Sequence, residues 1–175
     1  MSESVEKHRE ASPDRLNVAV LTISDTRTPE TDTGGSAIVE LMQEAGHNVS
    51  RREIVRDDAP RIEVVLQELL AEAGVDAVIT TGGTGISARD TTYEVANRLI
   101  DKKLDGFGEL FRMLSYEEIG AAAMLSRAVA GAAGLKFLAC LPGSTNAVRL
   151  AMERLLVPEM PHVVFELRKH REEAR

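Results

Sequence analysis

Residues 80–90, Thr80-Thr81-Gly82-Gly83-Thr84-Gly85-Ile86-Ser87-Ala88-Arg89-Asp90, hold the densest chemistry in the chain. Without Cβ atoms, Gly82, Gly83 and Gly85 let an anion approach the main chain, so that successive N–H groups can point at it. Thr81, Thr84 and Ser87 add hydroxyl donors. The alternative is a tight turn in which glycine satisfies geometry alone. A phosphate-cradling P-loop needs Lys and Ser/Thr directly after its last glycine, and Ile86-Ser87 stands there instead. Residues 83–88 match G-x-G-x-x-A, yet the acid that a dinucleotide fold needs about 20 positions on, at a strand end, falls on Asp101 at the close of a helix. A nicotinamide enzyme is therefore a weak reading. Further carboxylates and hydroxyls follow other apolar runs: Asp25 and Asp32, Asp57, then Gly143, Ser144 and Thr145. Amide-lined loops suit phosphate, and carboxylates without His or Cys partners suit Mg2+ shared with phosphate oxygens. Phosphoryl or nucleotidyl transfer is the reaction class this implies.

The elements around these residues alternate. Residues 17–24 and 75–79 are β-branched runs of the kind buried on both sheet faces, and residues 48–55 are polar enough for a sheet edge. Helices are expected from about Gly34, with Ile38, Leu41, Met42 and Ala45 inward and Gly46 as the stop; from Pro60, with Ile62, Val65, Leu66, Leu69 and Leu70 inward and Gly74 as the end; and over residues 92–100. One of Asp57 and Asp58 caps the second helix, leaving the other free. Asp90 or Thr91 caps the third, where residues 91–94 fit a capping box. His47 reads as a surface cap residue. Residues 109–119 are helical with Leu110, Met113, Leu114 and Phe111 inward, and Phe107, Phe111 and Tyr116 mark a core corner or a subunit contact. After a short helical piece at 121–125, residues 127–141 form a hairpin about Gly134, making one strand antiparallel. A last helix from about Asn146 breaks near Pro158 and Pro161 and resumes to about Lys169, burying Val163, Val164 and Leu167. The sum is an α/β fold: three α/β/α layers about a mostly parallel sheet, with the loop ligands gathered at one edge.

Composition narrows the partners. With 175 residues, 43% of them apolar, one domain over residues 15–170 is expected, after a disordered arm at 1–14 and before a frayed end at 171–175. A net charge of −7 with no Trp, two Tyr and four Phe argues against a nucleic-acid partner, which needs a basic surface or stacking rings. Cys140 is the only cysteine and lies in an apolar run, so a buried thiol is expected and an intramolecular disulfide is impossible. No apolar run is long enough for a membrane span and residues 1–14 lack the apolar stretch of a signal peptide, so the expected location is cytoplasmic.

The glycine stretch with Arg89-Asp90-Thr91-Thr92 and Glu94, together with Gly106-Phe107-Gly108-Glu109 and Leu141-Pro142-Gly143-Ser144, resembles the MoaB/Mog family of molybdenum-cofactor biosynthesis proteins. Residues 107–120 and 126–131 are similar to its MoaB branch in particular. The resemblance implies the three-layer fold, a homotrimer or a hexamer built of trimers, and binding of molybdopterin. It also implies, from the Mog branch, transfer of adenylyl from Mg-ATP to the pterin's phosphate with release of pyrophosphate. The two aspartates on which that chemistry depends match Asp57 and Asp90, as catalytic and Mg2+-holding residues. Thr81, Gly82, Gly83, Thr84, Gly85, Asp25, Asp32, Gly143 and Ser144 are then the candidate binding residues. Where the Mog branch often has proline after the second Pro-Gly pair, this chain has Ser144-Thr145. The alternative is accordingly a pterin-binding or assembly protein without turnover.

Overall fold

The computed structural model describes Arg9 and residues 11–169. Most of the expected arm at 1–14 and the frayed end at 171–175 lie outside these described residues. The chain runs β1 (Asn17–Ile23), α1 (Thr33–Glu44), β2 (Asn48–Val55), α2 (Ala59–Ala71), β3 (Ala77–Thr81), α3 (Thr92–Leu99), β4 (Lys102–Lys103) and α4 (Asp105–Ile119). A 3₁₀ turn (Gly120–Leu125), β5 (Val129–Ala133), β6 (Lys136–Leu141), α5 (Thr145–Ala151), a π turn (Met152–Leu156) and α6 (Val157–Arg168) complete it.

The strands form one sheet in the order β2-β1-β3-β6-β5-β4. β1 pairs in parallel with β2 and β3, and β3 with β6. β5 runs against both β6 and β4, the single antiparallel direction expected from the hairpin. Alternate residues of β1 serve opposite layers. Val18 and Val20 pack with Ile38 and Met42 of α1, Phe111 of α4, Val148 of α5 and Val164 of α6. Ala19 and Leu21 pack with Ile62, Leu66 and Leu69 of α2 and Val95 of α3. This double burial is why the central strands read as unbroken apolar runs. β2, at the edge, carries Arg51, Arg52 and Glu53, and a register shift opposite Val18/Ala19 interrupts its ladder. Charges and bulges of this kind keep an edge from recruiting another strand.

Several local expectations are corrected. Ala45 is exposed, and Leu41 and Leu70 are only half-buried. α2 stops at Ala71, before Gly74. Lys102–Lys103 adds a short strand that the sequence did not suggest. In α4 the inward face is Phe107, Phe111 and Leu114, with Gly108 and Ser115, while Leu110 and Met113 are 47% and 54% exposed. The predicted break at the two prolines is absent. Instead the π turn Met152–Leu156 widens the helix just before Pro158, whose missing N–H then falls in the first turn of α6. Pro161 stands inside α6, where burial of Met160 and Val164 outweighs the lost backbone bond. The capping box also fails to form: Thr91 makes no side-chain cap bond and Glu94 turns to Arg127.

His47 is a buried residue and not a surface cap, 6% exposed, with its Nδ1 accepting the Leu16 N–H at 3.3 Å. Burial disfavours the imidazolium and holds its pKa below the ordinary 6.5. An unfolded chain therefore takes up the proton first, so the stability is complete above pH 6.5 and is lost as pH falls below it. Thermal or urea unfolding between pH 5 and 8 is expected to show this loss, with a slope of at most about 1.4 kcal/mol per pH unit. His47→Gln should flatten that segment of the profile. An unchanged slope in the variant would remove His47 as its origin.

Candidate functional site

The C-terminal ends of β1, β2, β3 and β6 share one edge, and the loops that leave them enclose a cleft of about 280 Å³. Its walls include Asp25, Asp32, Asp57, Thr81, Gly82, Gly83, Asp90 and Gly143. The edge thus brings together most of the residues singled out in the sequence. Thr84, Gly85 and Ser144 stand beside the cleft rather than in its wall.

Close approach of main chains shapes the floor. The Gly82 N–H donates to the Leu141 carbonyl at 3.1 Å, and the Thr81 hydroxyl donates to the Pro142 carbonyl at 2.9 Å. The loops after β3 and β6 are therefore stapled together, and the Gly82 amide and Thr81 hydroxyl are spent on the staple rather than free to meet an anion. Gly83 has φ +65°, and a Cβ there would lie 2.0 Å from Thr92 Oγ1 and 2.9 Å from Asp57 Oδ2. Only glycine lets the chain pass between α3 and Asp57. Among the described residues the amides of Gly83 and Thr84 meet no acceptor, so both can donate to a ligand where the loop begins. Ser144 caps α5 by accepting the Ala147 N–H at 3.3 Å.

Each carboxylate has a different environment. Asp32 is 2% exposed and starts α1, its oxygens taking the Gly35 N–H at 2.9 Å, the Thr22 hydroxyl at 2.8 Å and Arg52 at 2.9 Å. Burial alone would raise its pKa, but Arg52, Gly35 and Thr22 together outweigh it and hold the group below 3.8. Its part in the cleft is to fix where α1 begins. Asp58 caps α2 through the Arg61 N–H, which leaves Asp57 as the uncommitted aspartate of the pair. Asp25 pairs with Arg89 at 2.6 Å. Asp90 does not cap α3; its Oδ2 turns back to the Ser87 N–H at 3.0 Å. Hydrogen bonding from Ser87, with the Gly85 amide and the Arg127 charge, holds Asp90 low against a smaller burial effect. Asp57 goes the other way. Burial raises it first, the Thr91 backbone N–H opposes this, and the charges of Asp90 and Asp25 raise it further. Two neighbouring carboxylates are thus pushed apart in acidity, the arrangement that separates roles in a reaction centre.

Among the described residues no group of three or more His, Cys, Asp or Glu side chains converges as a metal cage. The donor set suits Mg2+ all the same, since that ion takes one or two carboxylates and completes its shell with water and phosphate oxygens.

Sequence reasoning overlooked Arg127. It stands two residues before β5, and because β5 runs antiparallel its start lies at the same edge as the parallel strand ends. Its side chain donates to carbonyls of the glycine loop and to Glu94. The one available signal was its place in the 126–131 segment, which carried no chemistry of its own.

Asp32→Ala is expected to cost about 3 kcal/mol, because it removes a helix cap and strands Arg52 beside a buried site. Asp57→Asn should do the opposite. A raised carboxyl binds its proton more tightly in the folded state, so it lowers stability above its folded pKa, and that cost is gone once the pH reaches 3.8. The ligand-free variant should therefore melt higher than the parent at neutral pH, with the difference closing in acid. A lower melting point at pH 7 would show that Asp57 is structurally paired.

Comparison with known proteins matches the chain and its fold to one family. Residues 19–162 fit the family model described as "Probable molybdopterin binding domain". The molybdenum cofactor biosynthesis protein B of Bacillus cereus is 49% identical over 167 residues, which cover 95% of this chain and 99% of that protein. A crystal structure of a molybdenum cofactor biosynthesis protein B superposes with a TM-score of 0.87 at 50% identity, covering 90% of this chain and 99% of the other. The tungsten cofactor synthesizing protein MoaB from Pyrococcus furiosus superposes at 0.79 with 38% identity, again over 90% and 99%. The chain belongs to the MoaB family of molybdenum cofactor biosynthesis proteins.

Proposed function

We propose that the edge cleft binds molybdopterin and that the protein adenylylates the pterin's phosphate with Mg-ATP, releasing pyrophosphate. The observation that carries this reading is that Asp57, Asp90 and the glycine loop line one cleft at the C-terminal edge of the parallel strands. The free amides of Gly83 and Thr84 would hold a phosphate oxygen, as main-chain donors in a glycine turn do. Asp57 and Asp90 would hold Mg2+. When bound, that ion supplies charge stabilisation for a transferring phosphoryl group, worth several kcal/mol. Asp32, through α1, and the staple of Thr81 to Pro142 keep the loops in place while the ligands exchange. Gly143 approaches the Gly82 backbone so closely that an added Cβ would sit 3.3 Å from its Cα, so the floor stays free of side chains.

A second reading, a pterin-binding or assembly protein without turnover, has its own support. Asp25 is paired with Arg89, Asp32 with Arg52, and Asp90 is turned to Ser87, so three of the four cleft carboxylates are already engaged. Pyrophosphate release from ATP in the presence of molybdopterin and Mg2+ separates the two readings.

Asp57→Asn and Asp90→Asn are each expected to lower adenylyl transfer at least about 100-fold, or about 2.7 kcal/mol, with pterin affinity changed much less. Asparagine at 90 keeps an oxygen for the Ser87 amide, so the loop survives the change. Near-normal turnover in either variant would exclude its carboxylate from the metal role.

We also propose a homo-oligomer, a trimer or hexamer, whose contact includes α4. Leu110, Met113, Tyr116 and Ile119 are 47 to 64% exposed on that helix, and Met124 and Leu125 extend the patch at 80% and 55%. Exposed apolar surface of this extent marks an interaction site. Sedimentation at micromolar concentration should give a multiple of three chains, and Met113→Glu with Ile119→Glu should shift it towards monomer. A monomeric parent would defeat the assignment.

A further inference from the structure

Arg127 is bonded to three carbonyls of the glycine loop. Its Nε donates to the Thr84 carbonyl at 2.9 Å. One terminal nitrogen donates to the Gly85 carbonyl and, at 3.3 Å, to that of Asp90. Both terminal nitrogens also reach the Glu94 carboxylate, and the guanidinium carbon lies 4.9 Å from the centre of the Tyr93 ring. The side chain is three-quarters buried. A planar fork is needed for this work, because donors must leave in several fixed directions towards carbonyls that begin and end one loop.

The loop has little else to hold it. Within it, Asp90 N–H bonds Ser87 O and Ser87 N–H bonds Asp90 Oδ2, a small closed turn that fixes its own shape but not its position. Outward, Arg89 reaches Asp25 from a side chain that is 72% exposed, a pairing that contributes little in water. At its ends, Gly82 bonds Leu141 and Thr92 bonds Gly83. Between these ends the anchoring falls to Arg127.

We infer that Arg127 is a positioning residue: by gripping the Thr84, Gly85 and Asp90 carbonyls it sets the glycine loop against the cleft and fixes Asp90 at the cleft wall, without itself touching the ligand. Its nitrogens are committed to main chain and to Glu94, so it is not a phosphate-binding arginine. Glu94 balances its charge, which is why the acid that the sequence offered to a capping box is found here instead. The inference rests on the reading of this cleft as the ligand site.

The test follows amide hydrogen exchange and molybdopterin binding in parallel, on the full chain. Arg127→Gln should speed exchange at the bonded loop amides of Ser87 and Asp90 by at least about tenfold, leave β1 and β3 protected as in the parent, and weaken molybdopterin binding by a similar factor. Millimolar guanidinium, too dilute to denature, should restore both. Arg127→Lys should recover little of either, since a point charge cannot reach three carbonyls. Loss of binding with loop exchange unchanged would make Arg127 a ligand contact and overturn the inference, as would full recovery in Arg127→Lys. Should Arg127→Gln not fold, Glu94→Gln removes one partner of the guanidinium and is expected to raise exchange over the same residues. If the parent binds no molybdopterin, the proposed function falls, while the exchange measurement still decides the role of Arg127.

Discussion

Burial of both faces of β1, β3 and β6 is the constraint from which the rest follows. Strands covered on both sides need helices on both sides, and short crossovers that return the chain to the same sheet make those strands parallel. Parallel strands end together. The loops leaving β1, β2, β3 and β6 therefore meet at one edge whatever their sequences, and polar residues placed in them become neighbours without any contact having selected the pairing. The antiparallel β5 breaks this rule usefully, since its beginning, and with it Arg127, arrives at the edge where the others end.

An edge crowded with carboxylates has to be made stable by giving most of them partners. Asp58 and Asp32 cap helices, Asp32 also neutralises Arg52, Asp25 meets Arg89, and Asp90 closes a turn with Ser87. Asp57 meets only Thr91, through its backbone N–H and a 3.4 Å hydroxyl contact, and burial still leaves it a weaker acid than an ordinary aspartate. The distinction is one of geometry and not of residue type. Asp57 and Asp58 are adjacent in sequence, and the turn into α2 alone decides which of them points its oxygens at a helix amide.

How much of this the sequence carried depends on whether the signal was local. Continuous β-branched runs announced the buried strands, and the polar character of residues 48–55 placed β2 at an edge, because burial acts on each residue directly. The inward face of α4 was drawn too wide because apolar residues occur at 110, 111, 113 and 114, and of these the helix buries only Phe111 and Leu114. The choice between Phe111 and Leu110 is made by the opposing layer, where Phe111 reaches the same core as Val148 and Leu141. His47 follows the expected α1 stop at Gly46, and nothing local shows that Leu16, 31 residues earlier, brings its amide to the ring. Arg127 is the same case at greater range. Its partners lie 33 to 43 residues away, and only the reversal of β5 makes them neighbours. The capping box failed for the reciprocal reason, since an acid at the right spacing is not a cap when a guanidinium offers it more.

Where the fold leaves polar groups unsatisfied is informative in its own right. Thr92 Oγ1 is fully buried with no hydrogen-bond partner, and it lies directly beneath Gly83. Beside the same glycine stands Asp57, whose carboxyl burial holds above its ordinary range. Buried hydroxyls and raised carboxyls each cost stability, and a sequence selected for stability alone would remove both. Found together, flanking a positive-φ glycine whose own amide meets no acceptor, they describe a place where folding stops short of completing its hydrogen bonds. A cation shared with phosphate oxygens would answer the carboxylate, and an anion would answer the amide. The groups left incomplete around Gly83 lie where bound ligands, rather than the chain itself, would complete them, the relation expected between local strain and function.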